Sequence, residues 1–313
     1  MSSPTEAGPG QGRGGQEIAV GEALLLGALH GPAELLPISS SGHIAVIPWL
    51  LDWGYSDVDA ELRKAFEVAL HAGTAAALLI TLRTEVSDAV HDMNLRIAEL
   101  IALSFVPPAI VGYTLERPIE RRLGTPGTIA LGLVVGSVVM ARADRTPQTR
   151  TSHDAGLTDA LCLGVAQACA LLPGVSRNGA TLAAARWRGF TREDANKLSR
   201  HVALPVIAGA TLLKTVRLAR RGLPPRSALP IGLGAAASFA STLGSTWLIR
   251  QVERDRSLLP YALYRLGLAS VVLGRLAHRR RRRAAGGTVS GRGSAGTGSE
   301  PRAESDPYTT MAT

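Results

Sequence analysis

Long apolar runs alternate with short Arg-rich stretches along most of this chain, and this alternation constrains the fold more than any other feature. The apolar runs lie at 18–36, 66–82, 97–113, 128–141, 157–172, 202–216, 228–249 and 258–277. A bilayer's hydrocarbon core needs roughly 20 mainly apolar residues per helix, and several runs approach that length. Soluble helical bundles rarely contain so many runs of this kind. The pattern therefore predicts an all-α polytopic membrane protein.

The two ends of the chain differ from the apolar middle in composition. Residues 1–16 are rich in Gly, Ser and Pro and show no cleavable signal pattern. Residues 279–313 hold seven Arg and three acidic residues, +4 of the chain's net +9. We predict a disordered tail at 1–16, an integral membrane domain at 17–278 and a disordered basic tail at 279–313. The basic block after the last run predicts a cytoplasmic-side anchor, and no nucleic-acid partner.

Two classes of protein are excluded by simple counts. Intrinsic disorder of the whole chain is excluded, because disordered chains lack long apolar runs. A disulfide scaffold is excluded, since the 313 residues contain only two cysteines. Cys162 and Cys169 are best interpreted as small core residues.

Two interrupted segments, 29–49 and 161–181, resemble each other. Each begins as an apolar run, reaches Leu-Leu-Pro, and continues into a small polar cluster. Pro37 and Pro173 should end or break their helices, because proline lacks a backbone donor and clashes with the preceding turn. Such a pair in corresponding halves indicates a central site between inverted repeats. The alternative is two ordinary helix kinks.

Polar side chains gather in both interrupted segments. The first contains His30, Glu34, Ser39, Ser40, Ser41 and His43. The second contains Gly174, Ser176, Arg177, Asn178 and Thr181. A charged side chain at membrane depth costs about 2.5 to 3.5 kcal/mol on insertion scales, so such residues usually have a function or a partner.

The residue types in these clusters favour phosphoryl chemistry. The loop 173–179 opens into an Ala-rich helix over 181–185, and backbone N–H groups at such a helix start form a cradle for an anion. Arg177 adds a planar guanidinium that matches phosphate. Glu34 offers a base or a metal ligand, the hydroxyls of 39–41 a nucleophile, and His43 proton transfer. His30 and Glu34 are four residues apart and share a helix face, so they can converge on one metal or ligand. His71 either lines the same cavity or packs in the core.

These motifs resemble those of the undecaprenyl-diphosphatase family, integral membrane phosphatases associated with bacitracin resistance. The first motif is residues 30–43, HGPAELLPISSSGH, and the second is residues 173–181, PGVSRNGAT. Further similarity covers 65–73 and 260–267. The resemblance implies inverted-topology repeats with two re-entrant helix hairpins in the bacterial plasma membrane. It also implies hydrolysis of undecaprenyl diphosphate to undecaprenyl phosphate and inorganic phosphate, which recycles the lipid carrier of cell-wall synthesis.

The resemblance also implies roles for individual residues. The implied catalytic residues are Glu34, Ser40, His43 and Arg177, with attack by either Ser or His left open. The implied substrate-binding residues are Ser39, Ser41, Gly174, Ser176, Asn178 and Thr181. A divalent cation, Mg or Ca, would be held by Glu34 and His30. The expected partners are undecaprenyl diphosphate and the lipid bilayer, with a homodimer as an option.

The chain departs from the family pattern at several positions. His30 stands where the family has an acidic residue or Gln, and Asn178 stands where it has a second Ser. Imidazole at position 30 weakens the preference for a hard cation such as Mg. One alternative is therefore a non-catalytic polyprenyl-phosphate binder or flippase of the same fold. A second alternative is a transporter of a small anion, for which the sequence has no specific cue.

Overall fold

The computed structural model describes residues 17–91, 94–221, 227–254 and 257–290. Within these ranges the chain forms helices and no β-strand, with one isolated bridge between Arg150 and Phe190. The helices are α1 (Val20–Leu35), α2 (Ser40–Leu51), α3 (Ala60–Thr81), α4 (Arg83–His91), α5 (Leu95–Leu123), α6 (Pro126–Ala143), α7 (Leu157–Cys169), α8 (Arg177–Trp187), α9 (Arg192–Arg221), α10 (Ala228–Gly244), α11 (Trp247–Arg254) and α12 (Leu259–Ser290). The all-α prediction is confirmed.

Both interrupted segments contain a helix break near the predicted proline. Helix α1 ends at Leu35, two residues before Pro37, and α7 ends at Cys169. A serine then caps the next helix in each segment. Ser39 Oγ accepts a hydrogen bond from Gly42 N at 3.3 Å, and Ser176 Oγ accepts one from Gly179 N at 3.1 Å. Each cap satisfies a backbone donor that a helix start leaves free.

Small residues allow several helices to pack closely. Helix α10 lies between α1 and α3, α6 packs on α12, and α8 contacts α6, α7 and α9. A Cβ added to Gly27 of α1 would lie 2.8 Å from the Cβ of Ala237 on α10. A Cβ on Gly73 of α3 would collide with the carbonyl group of Ala235. Close approach through small residues is typical of helices packed within membranes.

Among the described residues, two helical stretches are long and apolar enough to cross a membrane, Leu95–Ile119 and Pro126–Ala143. The pair α10 and α11, bent by 50°, passes the same test as one span. Large apolar side chains face outward on the straight stretches, including Ile110, Leu131 and Val138. The other apolar runs lie in shorter helices or in helices with more charged residues. Long apolar helices of this kind are typical of a membrane protein.

The last helix is longer than the composition predicts. Helix α12 continues to Ser290, beyond the boundary predicted at residue 278. The basic and Ala-containing stretch 279–290 is therefore helical, in keeping with the high helix propensity of Arg and Ala. The predicted tails at 1–16 and over the remainder of 279–313 lie outside the described residues.

A buried carboxylate ties the start of α7 to the end of α8. Asp159 accepts hydrogen bonds from Arg150 Nη1 and Nη2 at 3.0 and 2.7 Å, and from Arg188 Nε at 2.5 Å. It also accepts from Gly156 N at 2.9 Å. Asp159 is 2% exposed, so these donors must offset the cost of removing its carboxylate from water.

We expect Asp159→Ala to destabilise the protein. The substitution leaves Arg150 and Arg188 without their shared carboxylate, and removing one partner of a buried pair costs about 3 kcal/mol. Thermal unfolding in detergent should show a lower midpoint than the wild type. Asp57→Ala, at an exposed position, is the matched control. Equal midpoints for the two variants would contradict the role of Asp159.

Candidate active site

The two interrupted segments meet in space and together form one site. A Cβ added to Gly42 would lie 3.5 Å from the Cα of Gly174. Asn178 Nδ2 donates to the carbonyl oxygen of Leu35 at 3.0 Å. These contacts join the end of α1 and the start of α2 to the turn before α8, as the prediction of a shared site requires.

Arg265 of α12 contacts the turn that follows α1 and the turn that follows α7. It is fully buried, and its Nη1 donates to the carbonyl oxygen of Pro37 at 3.4 Å while its Nη2 donates to that of Gly174 at 3.1 Å. Nη2 also lies 3.4 Å from the carbonyl oxygen of Gly132. Sequence reasoning missed this residue, although a cation inside the apolar run 258–277 was an available signal.

Glu34 lies at the centre of the site. Its Oε1 accepts a hydrogen bond from Arg177 Nη2, and its Oε2 accepts one from Ser40 Oγ at 2.5 Å. The Glu34 side chain is 10% exposed and that of Arg177 25%, so the pair is partly shielded from solvent. A carboxylate in contact with a hydroxyl and a guanidinium can take a proton and can orient a bound anion.

His43 points away from Glu34 and towards α12. Its Nδ1 lies 2.7 Å from the carbonyl oxygen of Ser39, and this oxygen can only accept, so Nδ1 carries the hydrogen. Its Nε2 therefore accepts from Tyr264 Oη at 2.8 Å. The two rings stack with centroids 5.6 Å apart. Tyr264 is a second site residue that sequence reasoning did not find, since it lies far away along the chain.

The serine cluster has an unusual backbone. Ser39 has φ of 78°, a left-handed conformation that residues other than Gly rarely adopt. Ser39 and Ser40 are buried, whereas Ser41 is exposed. The hydroxyls of Ser39 and Ser41 lie 3.5 Å apart. Backbone strain of this kind clusters at functional sites, because the surrounding packing must maintain it.

In the second segment, Arg177 is the side chain that reaches Glu34. The Ser176 hydroxyl caps α8, and Asn178 bonds to the end of α1. The Thr181 hydroxyl is fully buried, donates to the carbonyl oxygen of Arg177 at 2.9 Å and lies 2.5 Å from Ser199 Oγ. The predicted substrate-binding roles of these residues stay predictions.

Two histidines lie beside Glu34. The rings of His30 and His71 are 4.6 Å apart, and His71 Nε2 lies 4.0 Å from Glu34 Oε2. One donor atom from each of the three residues lies within 4.8 Å of the others, a spacing suited to a metal ion. His30 Nε2 is buried without a hydrogen-bond partner among the described residues. His30 and Glu34 thus converge as predicted, and His71 lines the same site.

A cleft of about 80 Å³ opens at this site. Its polar lining residues are Glu34, Arg177, Asn178, Asn196, Ser199 and Arg200. The apolar side chains along it are Leu35, Leu78, Leu82, Ala203, Ile207, Ile249 and Val252. The cleft therefore suits a molecule with a charged group and an apolar body.

We expect Gly174→Ala to disrupt the contact between the two turns. Gly174 has φ of +87°, and a Cβ there would collide with the carbonyl oxygen of Ile129. Left-handed strain alone costs about 1 to 3 kcal/mol, and the collision adds to it. Thermal unfolding should show a large fall in midpoint. Gly21→Ala is the control, because nothing lies within 4 Å of the Cβ it adds, and a similar midpoint for both variants would refute the tight contact.

Comparison with known proteins identifies the family of this chain. The model of the family described as bacitracin resistance protein BacA matches residues 23–271. An undecaprenyl-diphosphatase of Geobacter sulfurreducens is 41% identical over 265 residues, which cover 80% of this chain and 96% of that protein. An undecaprenyl-diphosphatase of Thermomicrobium roseum is 33% identical over 276 residues, covering 81% of this chain and 97% of that protein. The chain belongs to the bacitracin resistance protein BacA family.

Proposed function

We propose that this chain is an undecaprenyl-diphosphate phosphatase, which releases inorganic phosphate and leaves undecaprenyl phosphate for reuse as the carrier lipid of cell-wall synthesis. The relatives named undecaprenyl-diphosphatase support this substrate. The structural observation that carries the proposal is Glu34, which contacts both the Ser40 hydroxyl and the Arg177 guanidinium and lines the cleft with Arg177. A bacterial plasma membrane location and a role in bacitracin resistance follow from the same proposal.

The shape of the cleft supports a lipid diphosphate as substrate. The diphosphate would lie at Glu34 and Arg177, and the first part of the prenyl chain would lie along Leu78, Leu82 and Ile249. Within the described residues, only Nη2 of Arg177 is bonded to protein, so its other N–H groups can bind phosphate oxygens.

The geometry favours Ser40 over His43 as the attacking group. The Ser40 Oγ attacks the terminal phosphorus, its proton passes to Glu34 Oε2, and the bridging P–O bond breaks to release undecaprenyl phosphate. Glu34 passes this proton to the departing undecaprenyl phosphate and, ionised again, takes a proton from the water that attacks the phosphoserine. The P–O bond to Ser40 breaks, inorganic phosphate leaves, and Ser40 Oγ takes the proton back from Glu34. Arg177 balances the charge on the transferring group. His43, whose ring nitrogens contact Ser39 and Tyr264, positions the serine cluster.

A divalent cation is part of the proposal. Glu34 and His30 fit such an ion, because His30 Nε2 is a buried nitrogen without a partner among the described residues and Glu34 Oε2 lies in the same cluster. When bound, the cation neutralises negative charge on the diphosphate. A carboxylate has about four lone-pair positions, so Glu34 can hold a cation and still accept from Ser40.

The fold part of the proposal is a pair of inverted repeats whose interrupted segments form two re-entrant hairpins within the bilayer. The similar break, serine cap and new helix in α1–α2 and α7–α8 support this arrangement. The outward-facing apolar side chains of α6, such as Leu131 and Val138, are the surface that lipid or a second copy of the chain would cover.

Phosphate release from undecaprenyl diphosphate by the detergent-purified chain tests the function. We expect turnover with the diphosphate and none with undecaprenyl monophosphate. A binder or flippase would retain the lipid diphosphate without releasing phosphate. The proposal would be contradicted if this chain released no phosphate with any divalent cation while the Geobacter sulfurreducens undecaprenyl-diphosphatase released phosphate under the same conditions.

We expect Ser40→Ala to abolish most of the turnover. The hydroxyl that contacts Glu34 is removed, so phosphate release should fall by about 10³-fold or more if Ser40 forms the covalent intermediate. Ser87→Ala, at an exposed position on α4, is the matched control. Stopping the reaction with acid should trap phosphoserine in the wild type and not in Ser40→Ala. Near wild-type turnover in Ser40→Ala would rule out Ser40 as the nucleophile.

A further inference from the structure

The side chains of α1 and α3 combine two imidazoles and one carboxylate around the same point. His30 and Glu34 project from α1, and His71 projects from α3. Their donor atoms lie within 4.8 Å of one another. Two histidines and one carboxylate are a ligand set typical of transition metals in proteins. We infer that His30, Glu34 and His71 form a site for a transition-metal dication of the Zn²⁺ class, in place of a hard cation. This inference rests on the proposed function, of which it specifies the cation.

The hydrogen bonds of His71 leave the nitrogen facing Glu34 free to bind metal. His71 Nδ1 lies 2.8 Å from the carbonyl oxygen of Glu67, which can only accept, so Nδ1 carries the hydrogen. Nε2 consequently has a lone pair, and it lies 4.0 Å from Glu34 Oε2. A backbone carbonyl that fixes the second ring nitrogen in this way is the usual outer contact of a metal-bound histidine.

The hydroxyl network around His30 allows the hydrogen of this ring to lie on Nδ1 as well. Ser238 Oγ donates to the carbonyl oxygen of Leu70 at 2.9 Å, and Thr242 Oγ1 donates to that of Ser238 at 2.7 Å. Thr74 Oγ1 lies 2.8 Å from Ser238 Oγ and can donate to it. His30 Nδ1 then donates to Thr74 Oγ1 at 2.9 Å.

In this arrangement the lone pair of His30 is on Nε2. That nitrogen is buried and has no partner in the described parts of the chain, and His30 is 1% exposed. A buried acceptor without a partner is costly, and a bound cation would satisfy it. The neighbouring hydroxyls thus supply the outer contacts that a metal-bound His30 requires.

The three donor atoms must move together to bind an ion. Metal–ligand bonds of about 2.0 to 2.2 Å place neighbouring donors about 3 to 3.5 Å apart. The cluster is therefore open by about 1 to 2 Å, since His71 Nε2 and Glu34 Oε2 lie 4.0 Å apart and the three donor atoms are separated by up to 4.8 Å. The His71 side chain is 36% exposed, so it has room to rotate inward, whereas His30 is held by its buried network.

The chemistry of the donors selects the class of cation. Mg²⁺ and Ca²⁺ prefer oxygen ligands, whereas imidazole suits Zn²⁺ and its first-row neighbours. Three protein ligands leave an open position, as in catalytic zinc sites, and an oxygen of the diphosphate can occupy it. Arg177 contacts Oε1 of Glu34, and Oε2, which accepts from Ser40, has a second lone pair for the ion.

Measuring Co²⁺ binding tests this inference without substrate. The full chain is first purified in detergent and stripped of metal with a chelator. We expect one Co²⁺ per chain with the visible absorption of a low-coordinate nitrogen and oxygen site. Zn²⁺ should displace the Co²⁺, while a thousandfold excess of Mg²⁺ should leave it bound. His71→Gln and His30→Gln should each weaken Co²⁺ binding by about 100-fold, because each removes one imidazole ligand. His153→Gln, at an exposed position, is the control and should bind as the wild type does.

The outcomes separate this inference from the proposed function. The metal site would be refuted if both His30→Gln and His71→Gln bound Co²⁺ with wild-type affinity. It would also be refuted if Mg²⁺ displaced Co²⁺ as easily as Zn²⁺ does. Either result would stand even if the chain still released phosphate. His-dependent Co²⁺ binding by a chain that releases no phosphate would support the metal site and contradict the phosphatase. His30→Glu adds a complementary test: it should raise affinity for Mg²⁺ at least tenfold over the wild type, and a failure to do so would count against His30 as a ligand.

Discussion

Replacing Arg177 by alanine should lower kcat/KM for undecaprenyl diphosphate by about 10³-fold, through both a higher KM and a lower kcat. Arg177 is a cation in contact with Glu34 in the lining of the cleft. Its guanidinium can contact two phosphate oxygens at once, and it balances the charge on the transferring phosphoryl group. Phosphate release measured over a range of substrate concentrations separates the two parameters.

Two further variants sharpen this prediction. Arg177→Lys keeps the positive charge but loses the planar fork, so we expect it to recover part of the binding and little of the rate. Arg142→Ala removes an exposed arginine at the end of α6 and should behave as the wild type does. If Arg177→Ala and Arg142→Ala had the same kinetics, Arg177 would not be part of the site.

Glu34→Gln should lower kcat by about 10² to 10⁴-fold with a smaller change in KM. The amide is similar in size to the carboxylate, but it cannot take the proton of Ser40, which lies 2.5 Å from Glu34 Oε2. It also loses the ion pair with Arg177, which frees the guanidinium to bind phosphate and limits the rise in KM. Single-turnover release of phosphate measures this step directly.

The control for Glu34→Gln is Glu61→Gln, an exposed residue in the first turn of α3. Binding of undecaprenyl diphosphate to the Glu34→Gln protein should remain detectable, since Arg177 is intact. A variant with wild-type kcat would show that Glu34 takes no part in the reaction.

Local features of the site could be predicted from the sequence because they depend on near neighbours in the chain. Proline at positions 37 and 173 favours a helix break, although Pro32 and Pro48 lie inside helices. A serine that follows such a break readily caps the next helix. The four-residue spacing of His30 and Glu34 places them on one face whatever the remaining fold does. The residues next to Arg177 in the turn predicted that Arg177 binds phosphate.

Contacts between distant residues could not be predicted in the same way. Tyr264 and His43 are 221 residues apart, and Arg265 and Pro37 are 228 apart, so no spacing rule connects either pair. His43 was expected to handle protons or to attack, and its nearest partners turn out to be Ser39 and Tyr264. His71 had two interpretations, lining the cavity or packing in the core, because periodicity does not show which face of a helix another helix covers.

The position of Arg265 has a consequence for the biosynthesis of the protein. The turns at Pro37 and Gly174 leave the ribosome long before α12, yet both give a carbonyl oxygen to this one guanidinium. Until α12 is inserted, neither carbonyl has its donor, and the earlier helices must be held in the membrane without a finished site. Hydrolysis should therefore begin only after the last helix has joined the others, so that partly synthesised chains do not act on the carrier lipid.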